Sequence, residues 1–266
     1  MTDLDALDPR YTTILCDIWG VIHDGHALYP GAAARLARWR GEGRRIVLVT
    51  NAPRPAEVVA AQLARLGLAD DCWDGISTSG EAGLAALLAL SAPPGLLGTR
   101  RDRADLETRG LAFADKGFTD LAVTGLDDAR PSVADYTGQL EAWARQGVRF
   151  HCLNPDRVVI HGGVAEPCAG ALADVYEALG GRVAWYGKPH DAIYHHALGL
   201  AGDPPRDTVL AVGDSLVTDM LGAAGQGIDA LFVRSGIHAG EPWPDDFADR
   251  HGLGDWHPIA LVDGLA

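Results

Sequence analysis

Residues 11–51 have the sequence YTTILCDIWG VIHDGHALYP GAAARLARWR GEGRRIVLVT N, which predicts a strand, a helix and a second strand. Residues 11–16 have the pattern of a strand that runs into Asp17, and residues 45–49 form a short, mostly apolar strand pattern that is typical of strands buried in a parallel sheet. Between them, apolar residues recur at helical spacing over 32–40. This order predicts an α/β fold with a doubly wound, Rossmann-like parallel sheet.

The alternation continues beyond this unit. Residues 56–66 show an Ala- and Leu-rich helix pattern, and the Ser-Thr-Ser-Gly run at 77–80 offers a hydroxyl cap for a helix over 81–90. A Pro- and Gly-rich break follows at 91–98, and a separate set of strand and helix patterns then extends to residue 184. Later strand patterns resume the first set, at 183–186, 208–212 and 230–233. We therefore predict a core domain of residues 1–78 and 185–266 that carries an inserted α/β cap domain of residues 79–184.

Composition limits the functions of this 266-residue chain. Its 36 acidic and 22 basic side chains give a formal net charge of −14. Nucleic acids and anionic membranes attract Lys and Arg, so neither is an expected partner. Its four cysteines form no Cys-x-x-Cys pair, and no apolar run reaches the roughly 20 residues that span a bilayer. We therefore expect a cytoplasmic protein with reduced cysteines.

Polar residues follow the predicted strands where chemistry is expected. In an open parallel sheet, ligands bind beyond the carboxyl ends of the strands. There the chain carries a set of potential phosphoryl-transfer groups, namely Asp17, Thr50, Lys188, Asp214 and Asp219. Each residue taken alone has a plainer interpretation as a turn, capping or surface residue.

Taken together, these residues fit one reaction. An aspartate such as Asp17 can attack phosphorus and form an aspartyl-phosphate. Mg²⁺ binds one or two carboxylates together with waters and phosphate, which suits Asp17 and Asp214 with Asp219 behind them. Lys188 and Thr50 can stabilise the charge on the transferring oxygens.

The four segments, in this order, resemble the motifs of the haloacid dehalogenase superfamily of phosphohydrolases. Asp17 matches motif I, Thr50 motif II, Lys188 motif III, and Asp214 with Asp219 motif IV. The insertion between motifs II and III is similar to the cap of the class IIA, 4-nitrophenylphosphatase-like branch. Further matches lie at Pro30-Gly31-Ala32, Thr78-Ser79, Asn154-Pro155-Asp156 and Gly187-Lys188-Pro189.

The resemblance extends from about residue 11 to residue 264, and motif IV is its most specific part. It implies a Mg²⁺-dependent hydrolase of a small phosphorylated metabolite, such as a sugar phosphate, a nucleotide or an aryl phosphate. Asp17 would be the nucleophile, and the backbone carbonyl of Trp19 would join Asp17, Asp214 and Asp219 around the metal. Relatives of this branch often self-associate, so a homodimer is an expected assembly.

Trp19 departs from the family pattern. The family carries a second Asp two residues after the nucleophile, which protonates the leaving group and later activates water, and an indole cannot transfer that proton. Three interpretations stay open. A nearby group such as His23 or Asp24 replaces the acid, unless both are turn residues beside Gly25. Alternatively, the leaving group needs little protonation, or the protein binds a phosphorylated ligand with weak or no turnover.

The predicted cap domain should select the substrate, because it covers the strand ends in relatives. Asn51 beside motif II, together with Asn154 and Asp156, is a candidate substrate ligand. An alternative interpretation makes 154–156 a turn with local hydrogen bonds. Further candidates in the same segment are His151, Arg157 and His161.

Overall fold

The computed structural model describes residues 4–161, 164–235 and 243–266. The chain divides into two compact units. The first consists of Met1–Thr50, Ala60–Ser77 and Tyr194–Ala266, and the second of Asn51–Val59 and Thr78–Ile193. The division of the chain into a core domain and a cap domain of residues 79–184 stays a prediction.

Strands and helices alternate along most of the chain. The strands are β1 Thr13–Asp17, β2 Arg45–Thr50, β3 Gly75–Thr78, β4 Gly95–Leu97, β5 Asp120–Val123, β6 Arg149–Cys152, β7 Val158–His161, β8 Val164–Pro167, β9 Arg182–Trp185, β10 Val209–Gly213, β11 Asp229–Val233 and β12 Ala260–Val262. The α-helices are α1 Ala32–Gly41, α2 Ala56–Arg65, α3 Ser79–Leu88, α4 Arg100–Glu107, α5 Thr137–Gln146, α6 Ala169–Ala178, α7 Asp191–Leu200, α8 Leu221–Gly225 and α9 Phe247–His251. Short 3₁₀ turns lie at Leu4–Ala6, Asp70–Cys72, Val133–Tyr136 and Arg206–Thr208, and a π-helix at Leu216–Met220.

A six-stranded sheet has the order β12-β11-β10-β1-β2-β3. Its members β1, β2, β10, β11 and β12 pair in parallel. Counting only the strands of this sheet along the chain, the order is 3-2-1-4-5-6, which is that of the doubly wound dinucleotide-binding fold. The predicted α/β fold class is confirmed. The strand order reverses between β1 and β10, and ligands bind at such a switch point.

The apolar runs of the sequence explain why these strands lie at the centre of the sheet. Every residue of β1 and β10 is buried, as is every residue of β2 after Arg45. Trp39 of α1 is fully buried as well. Strands buried on both faces need apolar residues at consecutive positions, so helices must cover both sides.

A four-stranded parallel sheet, with the order β4-β5-β6-β9, forms the centre of the second unit. The expectation that residues 183–186 resume the first sheet is wrong, because β9 pairs with β6. The intervening helix α6 packs Leu172 and Tyr176 into one apolar cluster with Phe150 and Val183. A four-residue apolar run does not encode which sheet it joins, so helix packing decides this.

Two local findings complete the description. Thr78 Oγ1 accepts a hydrogen bond from the Glu81 N–H at 3.0 Å, which confirms a hydroxyl cap at the start of α3. Among the helices of the described residues, none combines the length and apolar character needed to cross a membrane.

Candidate active site

Three aspartates come together in the first unit. Asp17 ends β1, Asp214 directly follows β10, and Asp219 lies in the π-helix. One carboxylate oxygen from each lies within 4.8 Å of those of the other two. The three residues are only 7%, 3% and 4% exposed. The strand register causes this meeting, because Cys16 pairs with Val212 and the two chain segments leave the sheet side by side.

The π-helix Leu216–Met220 brings Asp219 back towards Asp214. The backbone N–H groups of Asp219 and Met220 both donate to the Ser215 carbonyl at 3.1 Å. In return, Asp219 Oδ2 accepts a hydrogen bond from the Ser215 N–H at 3.2 Å. Short π segments recur at functional sites, and here the segment fixes the direction of a buried carboxylate.

This cluster fits a divalent cation. Three neighbouring carboxylates repel one another, and burial makes an uncompensated negative charge costly. Carboxylate oxygens are the ligands that hard cations such as Mg²⁺ prefer. The donor set therefore suits a divalent cation.

Gly20 brings backbone close to Asp214. It has a φ of 85°, and a Cβ atom at this position would lie 2.2 Å from Asp214 Oδ2. Only glycine therefore allows the peptide after Trp19 to approach this carboxylate. The carbonyl of Trp19 stays a predicted metal ligand. Gly20 was not predicted as a site residue from the sequence, although its position three residues after Asp17 is a usable signal.

Trp19 itself packs against its own loop. Its indole ring meets the imidazole of His23 edge to face, and a Cβ atom on Gly25 would lie 2.5 Å from the ring. His23 is 2% exposed, and its Nδ1 accepts a hydrogen bond from the Gly25 N–H at 2.9 Å. Burial lowers the pKa of His23, with Asp24 opposing that shift. A neutral imidazole with Nδ1 as acceptor carries its proton on Nε2.

Asp24 lies at the exposed tip of the same loop. Its Oδ1 accepts hydrogen bonds from the backbone N–H groups of Ala27 and His26, at 2.9 and 2.8 Å. These bonds lower the pKa of Asp24, so the carboxyl group is ionised at neutral pH. A general acid must hold a proton, and the geometry therefore favours the interpretation of Asp24 as a turn residue.

Thr50 ends β2 and is buried. Asp17 pairs with Val49, so Thr50 lies one residue further along the neighbouring strand, at the same carboxyl edge of the sheet. The register therefore places the predicted nucleophile and the predicted hydroxyl ligand on adjacent strands.

Lys188, Asn51 and Asp156 come together in the second unit. Lys188 follows the edge strand β9 and is 4% exposed. Asn51 Oδ1 accepts a hydrogen bond from the Lys188 N–H at 2.6 Å, and Asn51 Nδ2 donates to Asp156 Oδ1 at 2.8 Å. Asn154 Oδ1 accepts from the Asp156 N–H at 3.2 Å. The 154–156 segment is thus a turn with a local hydrogen bond, and the turn interpretation of that segment fits.

The remaining candidates of the second unit have other partners. His151 is 3% exposed and bonds Tyr186 Oη through Nδ1 at 2.8 Å and Asp120 through Nε2 at 2.9 Å. Arg157 forms a two-pronged ion pair with Asp174. The side chain of His161 lies outside the described residues.

Two family models and a solved structure match this chain. Family models described as "Haloacid dehalogenase-like hydrolase" and "HAD-hyrolase-like" match residues 14–112 and 185–251. A haloacid dehalogenase-like hydrolase from Brucella suis 1330 has a solved structure that superposes with a TM-score of 0.87, at 32% identity over all of both chains.

Two curated relatives are named for an enzymatic activity. The ribonucleotide monophosphatase NagD of Escherichia coli K12 is 29% identical over 84% of this chain and 88% of its own length. The D-glycerol 3-phosphate phosphatase of Mycobacterium tuberculosis is 28% identical over 89% of this chain and 66% of its own length.

Proposed function

The chain belongs to the haloacid dehalogenase-like hydrolase family and is a phosphatase of that superfamily, and from this premise we propose a Mg²⁺-dependent phosphohydrolase of small phosphorylated metabolites. The observation that carries the proposal is the buried cluster of Asp17, Asp214 and Asp219 at the switch point of the sheet. The substrate classes are sugar phosphates, nucleotides and aryl phosphates. The names of two relatives, which specify ribonucleotide and glycerol 3-phosphate substrates, support small phosphorylated metabolites as the general class.

Asp17 is the proposed nucleophile. Its carboxylate forms a bond to phosphorus while the bond from phosphorus to the leaving oxygen breaks, which gives an aspartyl-phosphate. Water then attacks that phosphorus, so inorganic phosphate leaves and the carboxylate of Asp17 is regenerated. Thr50 and Lys188 are the proposed ligands of the phosphoryl oxygens.

The metal would be held by Asp17, Asp214 and the carbonyl of Trp19, with Asp219 behind them. When bound, Mg²⁺ neutralises the charge of phosphate and carboxylate, which otherwise repel each other. The buried position of the three aspartates supports this role, since buried charges interact through a lower effective dielectric than exposed ones.

Trp19 narrows the proposed substrates. No proton donor stands at the position that the family uses, and Asp24 is held ionised by backbone hydrogen bonds. Leaving groups that depart as stable anions need the least protonation. We therefore propose aryl, acyl or anhydride phosphates as the preferred substrates within the wider class.

A second candidate function also rests on Trp19. General acid–base catalysis typically contributes about 10²- to 10⁴-fold to the rate. Without it, the same site residues would serve a weakly active or non-catalytic protein that binds a phosphorylated ligand. Binding of a phosphorylated metabolite without its turnover would favour this alternative.

The deciding experiment is an assay of 4-nitrophenyl phosphate hydrolysis, with Mg²⁺ and with EDTA. We expect turnover that requires Mg²⁺ and that the Asp17→Asn variant lacks. Persistent turnover in Asp17→Asn would remove the nucleophile assignment. Absence of turnover in the wild type, together with Mg²⁺-dependent binding of inorganic phosphate, would favour the binding protein.

Location and assembly are further proposals. The four cysteines are buried, and we propose that they stay reduced because the protein works in the cytoplasm. A homodimer is the proposed assembly, and light scattering of the purified protein at several concentrations tests it. A mass of 28.1 kDa at all concentrations would contradict the dimer.

A further inference from the structure

The side chain of Asn51 forms hydrogen bonds with both the backbone N–H and the backbone carbonyl of Lys188. Asn51 Oδ1 accepts from the Lys188 N–H at 2.6 Å, and Asn51 Nδ2 donates to the Lys188 carbonyl at 3.2 Å. Nδ2 also donates to Asp156 Oδ1 at 2.8 Å. Asn51 and Lys188 are both 4% exposed, so these bonds form away from competing water.

These contacts exhaust the donors of Asn51. A carboxamide carries two N–H groups and one oxygen with two lone pairs. One N–H is used by Asp156, the other by the Lys188 carbonyl, and the oxygen faces the Lys188 amide. The side chain of Asn51 therefore has no donor left for a phosphate oxygen, although the sequence predicts Asn51 as a substrate ligand.

Asp156 is held in place from its own side. Its N–H donates to Asn154 Oδ1 at 3.2 Å, and its carbonyl accepts from the Gly170 N–H of α6 at 3.1 Å. The backbone of the residue whose carboxylate accepts from the Asn51 amide is thus bonded to a helix of the second unit. Rigid support of this kind is what a precisely placed functional group requires.

Gly187 makes the contact sterically possible. A Cβ atom at this position would lie 2.4 Å from Asn51 Oδ1 and 2.5 Å from Pro155 Cδ. Any larger residue would push the segment before Lys188 away from Asn51. The glycine of the Gly187-Lys188-Pro189 segment therefore allows the backbone of Lys188 to form hydrogen bonds with Asn51.

We propose that the side chains of Asn51 and Asp156 position the backbone of Lys188, and that neither side chain is a substrate ligand. The proposal deepens the proposed function, since it rests on Lys188 as a ligand of the phosphoryl group. The amide of Asn51 sets where the Lys188 stem begins, and Asp156 keeps that amide in its orientation. A displacement of about 1 Å in such a group can cost about 10²-fold in rate.

A double-mutant cycle separates positioning from direct contact. We expect Asn51→Ala to lower kcat/KM for 4-nitrophenyl phosphate by about 10²-fold in the wild type and by less than about 3-fold in a Lys188→Ala background. The same cycle is run on the Kd of inorganic phosphate by calorimetry. An undiminished effect of Asn51→Ala in the Lys188→Ala background would overturn the proposal.

Two variants of Asp156 guard against simple misfolding. Asp156→Ala removes the acceptor of the Asn51 amide, whereas Asp156→Asn keeps an oxygen acceptor of the same size at that position. We expect Asp156→Asn to keep at least about 10-fold more of the wild-type kcat/KM than Asp156→Ala does. Equal losses in the two folded variants would contradict the positioning role of Asp156.

Hydrogen exchange tests the hydrogen bonds between Asn51 and the Lys188 backbone without an activity assay. The peptide that covers residues 183–193 should exchange faster in Asn51→Ala than in the wild type, and unchanged exchange would overturn the proposal. Asp135→Asn is the matched control, because Asp135 lies in a capping box of the second unit outside the proposed site. If the proposed phosphatase function fails, turnover and phosphate binding are absent while the exchange result still stands.

Discussion

The indole ring of Trp19 and the imidazole of His23 meet edge to face, with 5.0 Å between their centroids and 75° between their planes. Trp19, which the family resemblance predicts to stand in place of an acid, thus packs within the loop that follows β1. Edge-to-face aromatic pairs contribute about 0.5–1.5 kcal/mol beyond their buried area. Trp19 therefore contributes to the stability of this loop.

Replacing Trp19 by Asp should restore the missing acid. We expect Trp19→Asp to raise kcat for an alkyl phosphate such as glycerol 3-phosphate by up to about 10²-fold, which is the lower end of what general acid–base catalysis typically provides. The gain for 4-nitrophenyl phosphate should be smaller, because that leaving group departs readily as an anion. Steady-state assays of both substrates give the ratio that checks this.

Trp19→Asn is the matched control for this change. It removes the same ring contacts with His23 and Gly25 and has nearly the same size as Asp, but it cannot transfer a proton. Equal activity of the Asp and Asn variants on the alkyl substrate would show that the missing acid does not limit this protein.

Asp24→Asn should leave the ratio of alkyl to aryl phosphate turnover unchanged. The asparagine oxygen can still accept the hydrogen bonds from His26 and Ala27 that hold the loop. A much larger loss on the alkyl substrate than on 4-nitrophenyl phosphate would instead make Asp24 the replacement acid. Initial rates of both substrates at one pH are sufficient for this comparison.

Asp214→Asn should weaken the response of thermal stability to Mg²⁺. A ligand that binds only the folded state adds about 2.7 kcal/mol at a concentration of 100 times its Kd. We expect Mg²⁺ to raise the Tm of the wild type above its value in EDTA, and Asp214→Asn to lose most of that rise. Exposed Asp255→Asn is the control, and an equal rise in Asp214→Asn would contradict the metal site.

Stability should fall as the pH drops below about 6.5. Burial lowers the pKa of His23, His151 and His190 below the ordinary 6.5, so the unfolded chain binds protons at these sites before the folded chain does. Each site therefore costs up to about 1.4 kcal/mol per pH unit between 6.5 and its lower folded pKa. Urea unfolding between pH 5 and 7.5 measures this slope.

His151→Asn isolates one contribution to that slope. Asp120 opposes the effect of burial on the pKa of His151 without reversing it, so the imidazole is buried in its neutral form. The variant should have a flatter dependence of unfolding free energy on pH, together with lower stability at pH 7.5. His195→Asn removes an exposed imidazole for comparison, and an unchanged slope in His151→Asn would contradict the assignment.

Local sequence patterns were sufficient for the main sheet. Consecutive apolar residues in β1, β2 and β10 favour burial of these strands on both faces, and a polar residue at the end of each strand or directly after it marks the carboxyl end. Parallel strands bring such ends to one edge. For this reason the meeting of Asp17 with Asp214 and Asp219 could be predicted from the sequence.

Tertiary packing decided the rest. Strand β9 is too short to specify its sheet, and the packing of α6 assigned it to the second unit, contrary to the prediction. The sequence likewise marked Asn51 as a polar residue after a strand, but only three-dimensional structure shows which groups its amide binds. An apolar pattern is a property of neighbours along the chain, whereas a hydrogen bond between residues 51 and 188 depends on where the whole fold places two distant backbones.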